Sequence, residues 1–328
     1  MCTALAYVKN SLFFGRNMDI EYRFGEKVVI TPREYLFKFK KEGDFKNGYA
    51  LIGMANVTDD YPLYAEACNE KGLCMAGLNF PFNAKYAKEK NAYRFALAPY
   101  EIIPFVLGSC ADLNEAEKAL ENTDIVGIDF KSTMTCAPLH WIIADQGGSI
   151  VVEYGEDGMK IYDNPYGVIT NNPPFPYHTE NVRQYMNLKA EYPEEGFCKS
   201  AKLTSFGVGG GAVGLAGDWT SPSRFVRAVF CKENSLAYSG AKESIDCVSE
   251  VFHILDSVAM PAGSVLTKDG KVDKTTYSCC IDAAQGAYYY KTYSNSRLNK
   301  VAMNDENKSG KTLCVFPLNE KQDIMKIE

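Results

Sequence analysis

The sequence predicts a layered α+β sandwich in which antiparallel sheets are covered by helices. Two observations predict it. Short segments rich in β-branched and aromatic residues come in blocks at the start, middle and end of the chain, and segments of helical period fall between the blocks. A doubly wound parallel sheet alternates strand and helix one at a time, whereas strand blocks followed by helix blocks suit antiparallel sheets with helices on their faces. With 328 residues and neither internal repeat nor low-complexity tract, the chain is expected to form one domain over residues 1–328.

The first block holds ALAYVKN, SLFFGRN, KVVITPREY, YALIGMANV and LCMAGLNF, each short and separated from the next by turn residues. Residues 95–122 change character: FALAPYEIIPFVLGSC leads into SCADLNEAEKALEN, where Leu113, Ala116 and Leu120 recur at helical spacing after a Ser/Asp start. A helical pair is predicted there. HWIIADQGGSIVVEY places two apolar runs around Gln-Gly-Gly, a β-hairpin pattern, and MKIYDNPYGVITNNP extends it to a proline-terminated loop. Residues 177–188 and 223–258 read as helices, TTYSCCIDAAQGAYYYKTYSN as a second hairpin, and LNKVAM and KTLCVFPL as closing strands. The Gly-rich FGVGGGAVGLAG at 206–217 is expected to be a long loop, within a loop or assembly segment around 189–222.

Lys and Arg number 35 against 41 Asp and Glu, and the basic residues are scattered, so the net charge of −6 argues against nucleic acid or an anionic membrane as main partner. The longest apolar runs, such as IIPFVLG, fall short of the roughly 18–20 residues that span a bilayer. MCTALAYVKN lacks the basic start and apolar run of a secretory signal, and a cytoplasmic location is expected. Eleven cysteines, an odd number, suit free thiols better than a disulfide framework in that setting. Zinc needs spaced pairs, and the chain offers only adjacent Cys279-Cys280 and the isolated His140, His178 and His253, so no metal and no cofactor is expected.

Gly209-Gly210-Gly211-Ala212-Val213-Gly214 matches GxGxxG in form, but LAGDWTSPS after it is turn chemistry, where a dinucleotide site needs a strand before and a helix after. No cysteine lies in a papain-like context, and His140 in PLHWII reads as a core histidine. Cys2 differs by position. Aminopeptidases remove an initiator methionine before a small residue, which would leave a free α-amine beside the thiol. An α-amine has a pKa of about 7.7–8.0 and can act as a general base near neutrality. Arg16 and Asp19 follow the predicted strand SLFFG, and a turn between two strands would return them to the N-terminus. An arginine favours thiolate and a carboxylate can orient an amine. Acyl transfer also needs donors for a developing oxyanion, and Asn79 in MAGLNFP and Asn171 in GVITNNPP stand at strand ends suited to that.

On these residues, together with MCTALAY, FGRNMDIEY, VVITPREY, DDYPLYAEACNEKGLCMAGLNFP, GVITNNPPF and GDWTSPSRFVRA, the sequence resembles the choloylglycine hydrolase family, specifically its bile salt hydrolases. The resemblance runs from residue 2 to the hairpin near 290, with the motifs in order. It implies an N-terminal nucleophile hydrolase with a four-layer αββα fold of two antiparallel sheets. Carried over position by position, Cys2 would be the nucleophile and its freed amine the base, Arg16 and Asp19 would poise thiol and amine, and Asn171 would donate to the oxyanion from its side chain and Asn79 from its backbone. Arg224 of SPSRF would complete the cluster, and none of these six positions departs from the family's residue.

The implied reaction is hydrolysis of the amide joining a bile acid to glycine or taurine, a small-molecule substrate, through a thioester. Penicillin V acylases share the frame, so that activity or another N-acyl amide acylase is the alternative, and a binding module without turnover is a third reading. A sterol needs an apolar slot. Met18, Ile20 and Phe24 beside the Arg-Asn-Met-Asp turn are candidates to line it, with Thr58, Ala65, Met134 and Leu139 from aligned loops, and ordinary core packing is the plain alternative for each. Gly207-Val208-Gly209 corresponds to a family segment near the active site and a subunit contact, whose Gly-x-Gly form goes with preference for taurine conjugates. The resemblance also implies a homotetramer.

Overall fold

The computed structural model describes residues 1–91 and 94–327. Two antiparallel sheets carry the architecture. The first has the order Val168–Ile169, Cys2–Val8, Leu12–Ile20, Val272–Asp282, Ala287–Thr292, Asn295–Ala302, with Val265–Leu266 paired to Val272–Asp282. The second runs Gly158–Asp163, Gly148–Gly155, Leu139–Asp145, Cys74–Asn79, Tyr61–Asn69, Leu51–Thr58, Lys27–Thr31, Cys314–Pro317.

The alternation of side chains along each strand shows why four layers form. In Leu139–Asp145, Ile142 and Ala144 enter one core while Trp141 and Ile143 enter another, so both faces of the strand are covered and its sequence reads as a continuous apolar run. The larger core lies between the sheets and extends under helices Ser221–Tyr238 and Ser244–Asp256, which pack on the first sheet. The smaller core lies under helices Ile102–Ser109 and Leu113–Glu121 on the outer face of the second. The layered α+β sandwich expected from the sequence is therefore what forms, and its order is αββα.

Local chemistry sets the helix ends. Asp112 caps Leu113–Glu121 by accepting the Glu115 N–H at 2.9 Å, and Ala116 and Leu120 are buried one turn apart. The first helix of that pair begins later than its apolar run suggests. Phe95–Leu97 pairs in parallel with Thr123–Ile125, and the α-helix starts only at Ile102. Pro99 is the reason, because a residue before proline is pushed out of the helical region, and Ala98 sits at φ −70°, ψ 154°. Strand Tyr61–Asn69 is a segment that pattern alone left unassigned, since Pro62 and Glu66 interrupt its apolar alternation.

The N-terminal hairpin positions the site. Cys2–Val8 pairs with Leu12–Ile20 so that Cys2 faces Met18, Thr3 faces Asn17 and Ala4 faces Arg16. Helix Ser244–Asp256 lies close on this hairpin: a Cβ on Gly15 would meet Val251 Cγ1 at 2.5 Å, which accounts for glycine in SLFFGRN.

Candidate active site

Cys2 opens the first strand and is buried to 3% exposure. Arg16, on the paired strand, reaches back across the hairpin, and its Nη2 donates to Cys2 Sγ at 3.3 Å. Met18 shares that face, with its sulfur 3.7 Å from Cys2 Sγ and 3.6 Å from Arg16 Nη2. The other arm of Arg16 is taken from the second sheet: Nη1 donates to Glu66 Oε2 at 2.9 Å and to the Ala65 carbonyl at 2.6 Å. Tyr277 and Tyr288 in turn donate to Glu66, at 3.0 and 2.5 Å.

On the other side of the strand stands Arg224, from the first turn of Ser221–Tyr238. It donates to the Cys2 carbonyl, to Thr3 Oγ1 at 2.6 Å, to Asn171 Oδ1 at 2.8 Å and to the Trp219 carbonyl at 3.0 Å. Asn171 Oδ1 also accepts the Cys2 N–H at 2.8 Å, while Asn171 Nδ2 donates to the Asn79 carbonyl at 2.7 Å. Both ends of that amide are thus specified. Asn171 is held through its backbone as well, its N–H on Ser221 Oγ at 2.8 Å and its carbonyl on His178 Nε2 at 3.0 Å. Asp19 Oδ1 accepts from Thr275 Oγ1 at 2.6 Å; its Oδ2 is buried without a hydrogen bond, 3.9 Å from Arg224 Nη1. Met1 is attached in this chain, so the Cys2 nitrogen is an amide; the Met1 α-ammonium lies on the Asp19 carbonyl at 2.5 Å and 3.4 Å from Asp273 Oδ2.

The two arginines differ electrostatically. Burial opposes the charge of Arg16, yet Cys2, Glu66 and Tyr277 together hold its guanidinium well above its ordinary value. Arg224 is held below its ordinary value, because burial outweighs Asp19, Cys2 and Asp273. Burial likewise lifts the Asp19 carboxyl above the usual range, against the pull of Arg224 and Thr275. Tyr277 and Tyr288 are pushed well up by burial and remain protonated donors.

The residues put forward from the sequence lie in one cluster: Cys2, Arg16, Asp19, Asn171 and Arg224, with Asn79 joined to it through its carbonyl, which accepts from Asn171, and not through the backbone N–H expected of it. The lining candidates divide. Met18 touches the sulfur; Ile20, Phe24 and Ala65 are partly exposed residues packed against the inter-sheet core, and Leu139 against the outer core. Thr58 donates to Asn56 Oδ1 at 2.5 Å, and the Met134 N–H donates to the Lys131 carbonyl at 2.9 Å in a tight turn. Gly207, Val208 and Gly209 are elsewhere within the chain: they line an open surface cavity of about 530 Å³ formed wholly by residues between Pro193 and Val213. Val208 is 95% exposed there. The nucleotide-like glycine pattern leads only into the short turn Gly210–Ala212. His140 is a core residue, stacked on Phe80 and bonded to Glu153 at 3.2 Å and to the Thr170 carbonyl at 3.1 Å.

Glu66 and Thr275 are the site residues that sequence reasoning missed. A lone acid in LYAEACN, flanked by small and apolar residues, is the signal that could have found Glu66. Thr275 carries no such signal, because a bulge between Thr275 and Tyr277 aims it. Among the described residues, no group of three or more His, Cys, Asp or Glu is arranged to hold a metal ion, and no helix is long and apolar enough to cross a membrane.

A cysteine heading a strand inside an αββα sandwich, with a guanidinium on its sulfur and an anchored amide on its nitrogen, has the architecture of the N-terminal nucleophile hydrolases. The chain belongs to the choloylglycine hydrolase family of linear amide C–N hydrolases, whose profile matches residues 2–316. It is 43% identical to the bile salt hydrolase/transferase of Lactiplantibacillus plantarum, over 97% of each chain. It is 39% identical to the protein of the same name from Clostridium perfringens, over 99% of each. Its structure superposes on a mutant of the conjugated bile acid hydrolase from Clostridium perfringens with a TM-score of 0.94 at 37% identity, covering 100% of both chains. The penicillin V acylase from Agrobacterium tumefaciens shares the fold at a TM-score of 0.75 and 20% identity, over 97% and 92% of the two chains.

Proposed function

We propose that this amide hydrolase cleaves glycine- or taurine-conjugated bile salts, with Cys2 as nucleophile. The observation that supports this most is the convergence of Arg16 on Cys2 Sγ and of Asn171 on the Cys2 nitrogen, beside a buried Asp19 with a free carboxylate oxygen. Removal of Met1 turns that nitrogen into an α-amine, and Asp19 Oδ2, which accepts no hydrogen bond, is an acceptor within the same cluster. The amine takes the Sγ proton as sulfur attacks the amide carbonyl, Asn171 Nδ2 and the Asn79 N–H receive the oxyanion, and the protonated amine then gives its proton to the departing amino group. A thioester remains. Water, deprotonated by the same amine, adds to it and frees the bile acid with the thiol restored.

Met18, Ile20, Phe24, Thr58, Ala65, Met134 and Leu139 are the proposed walls of the sterol slot. A homotetramer in the cytoplasm belongs to the same proposal. Assembly is supported by the apolar side chains that segment 189–222 turns outward, Phe197, Phe206, Val208 and Val213. Preference for taurine conjugates is attached to Gly207-Val208-Gly209, which would act across a subunit contact.

Incubation of the Met1-free protein with taurocholate and glycocholate is expected to release taurine and glycine, and Cys2→Ser is expected to lose at least ~10³-fold in kcat while staying folded. Release from neither conjugate, or a kcat/KM for penicillin V above that for taurocholate, would overturn the substrate assignment.

A further inference from the structure

We infer that Glu66 is a positioning residue for the nucleophile: it grips one arm of Arg16 from the opposite sheet, so that the other arm is aimed at Cys2 Sγ. The inference rests on the proposed role of Cys2. Glu66 is fully buried in strand Tyr61–Asn69 and is surrounded by donors: Arg16 Nη1 at 2.9 Å, Tyr277 Oη at 3.0 Å, Tyr288 Oη at 2.5 Å and Cys279 Sγ at 3.6 Å. A buried carboxylate this fully bonded is specified in place, and it specifies in turn the guanidinium it holds. Among the described residues, Arg16 has no such carboxylate on its other side, where Nη2 meets the sulfurs of Cys2 and Met18. One positive charge is therefore divided between a carboxylate on the second sheet and a sulfur on the first.

This division gives Glu66 two effects on the sulfur. Its grip fixes the direction of the Arg16 donor, and its charge limits how much of the guanidinium field reaches Sγ. The other titratable or charged groups facing this cluster are Tyr277 and Cys279 on Val272–Asp282, Tyr288 on Ala287–Thr292, Tyr22 after the second strand, Arg224 on the helical side, and Asp19 and Asp273 at the N-terminus. Within this group Glu66 is the carboxylate that bonds Arg16, and it lies on the far side of the guanidinium from Cys2.

Alkylation of Cys2 by iodoacetamide as a function of pH, followed on the N-terminal peptide of the Met1-free protein by mass spectrometry, reads the Arg16 field at the sulfur without any substrate. Glu66→Gln leaves the whole charge to the sulfur, so the inflection should move down by about one pH unit. Its kcat on taurocholate should fall about 10- to 100-fold, with KM within about twofold. Tyr288→Phe removes a donor from Glu66 and strengthens its hold on Arg16, so the inflection should move the opposite way, up by a few tenths of a unit. This second variant decides the matter if Glu66→Gln does not fold. An unmoved inflection together with an unchanged kcat in folded variants would overturn the positioning role. Normal shifts in alkylation with no cleavage of either conjugate would instead overturn the function proposed above and leave the role of Glu66 standing.

Discussion

Two fully buried arginines meet Cys2 from opposite faces of one sheet, and their surroundings are unlike. Arg16 faces the second sheet, where Glu66 pairs with it at 2.9 Å, and its donors go to a carboxylate, one carbonyl and two sulfurs. Arg224 faces the helical layer, where its nearest carboxylate stands at 3.9 Å, and its donors go to the Cys2 backbone, Thr3, Asn171 and Trp219. One is held charged by the groups around it; the other is held below its ordinary value by burial. A charge beside a reacting atom needs a fixed counter-charge behind it, whereas a cation that ties backbone and amide oxygens together works through the number of its hydrogen bonds.

That contrast can be broken from either side. Arg224→Ala should have the largest effect, because it takes a donor from four acceptors at once, of which Asn171 Oδ1 keeps the Cys2 N–H; about 3–5 kcal/mol of stability is expected to be lost, measured by denaturant unfolding, with hydrolysis abolished. Arg16→Lys keeps the charge but cannot serve Glu66 and the sulfur together, so kcat should fall about 10²-fold with a smaller loss of stability. Equal damage to stability from the two substitutions would erase the distinction between an electrostatic arginine and a scaffolding one.

Thr275→Val should have the smallest effect. Asp19 loses its hydroxyl donor, and a carboxyl already above its ordinary value rises further. A carboxyl with a raised folded value favours the folded state below its unfolded value near 3.8, and that contribution is lost as pH rises through the folded value. The variant should therefore lose about 1 kcal/mol relative to the parent at pH about 7.5 and less at pH about 4.5, read from unfolding midpoints at the two pH values. A deficit that grows on acidification would reverse the assignment.

The hairpin half of the site was legible because it is local. Two alternating segments with a turn between them return Arg16 and Asp19 to Cys2 whatever else the chain does, and strand alternation places Arg16 with Met18 on one face and Asp19 on the other. Asn171 was a candidate from its strand-end position, whereas Arg224 was reachable only through the family resemblance, since nothing in SPSRF points to Asn171 or to residue 2. Glu66 left only the trace of a lone acid in LYAEACN, and Thr275 left none. Phe95–Leu97 was misassigned for a related reason, because an apolar run ahead of a proline satisfies helix and strand patterns alike.

By itself, then, the sequence determined the strand and helix blocks, the N-terminal hairpin and the company of Cys2 within it. Tertiary structure decided which sheet faces Arg16 and how the central strand meets the hairpin. Thr275 and Tyr277 are two residues apart and would share a face in a regular strand, yet Thr275 serves Asp19 and Tyr277 serves Glu66. The extra residue at the bulge, Thr276, turns the strand between them. Periodicity reports only near neighbours along the chain, whereas pairing order and a one-residue change of register are settled by contacts more than two hundred residues apart.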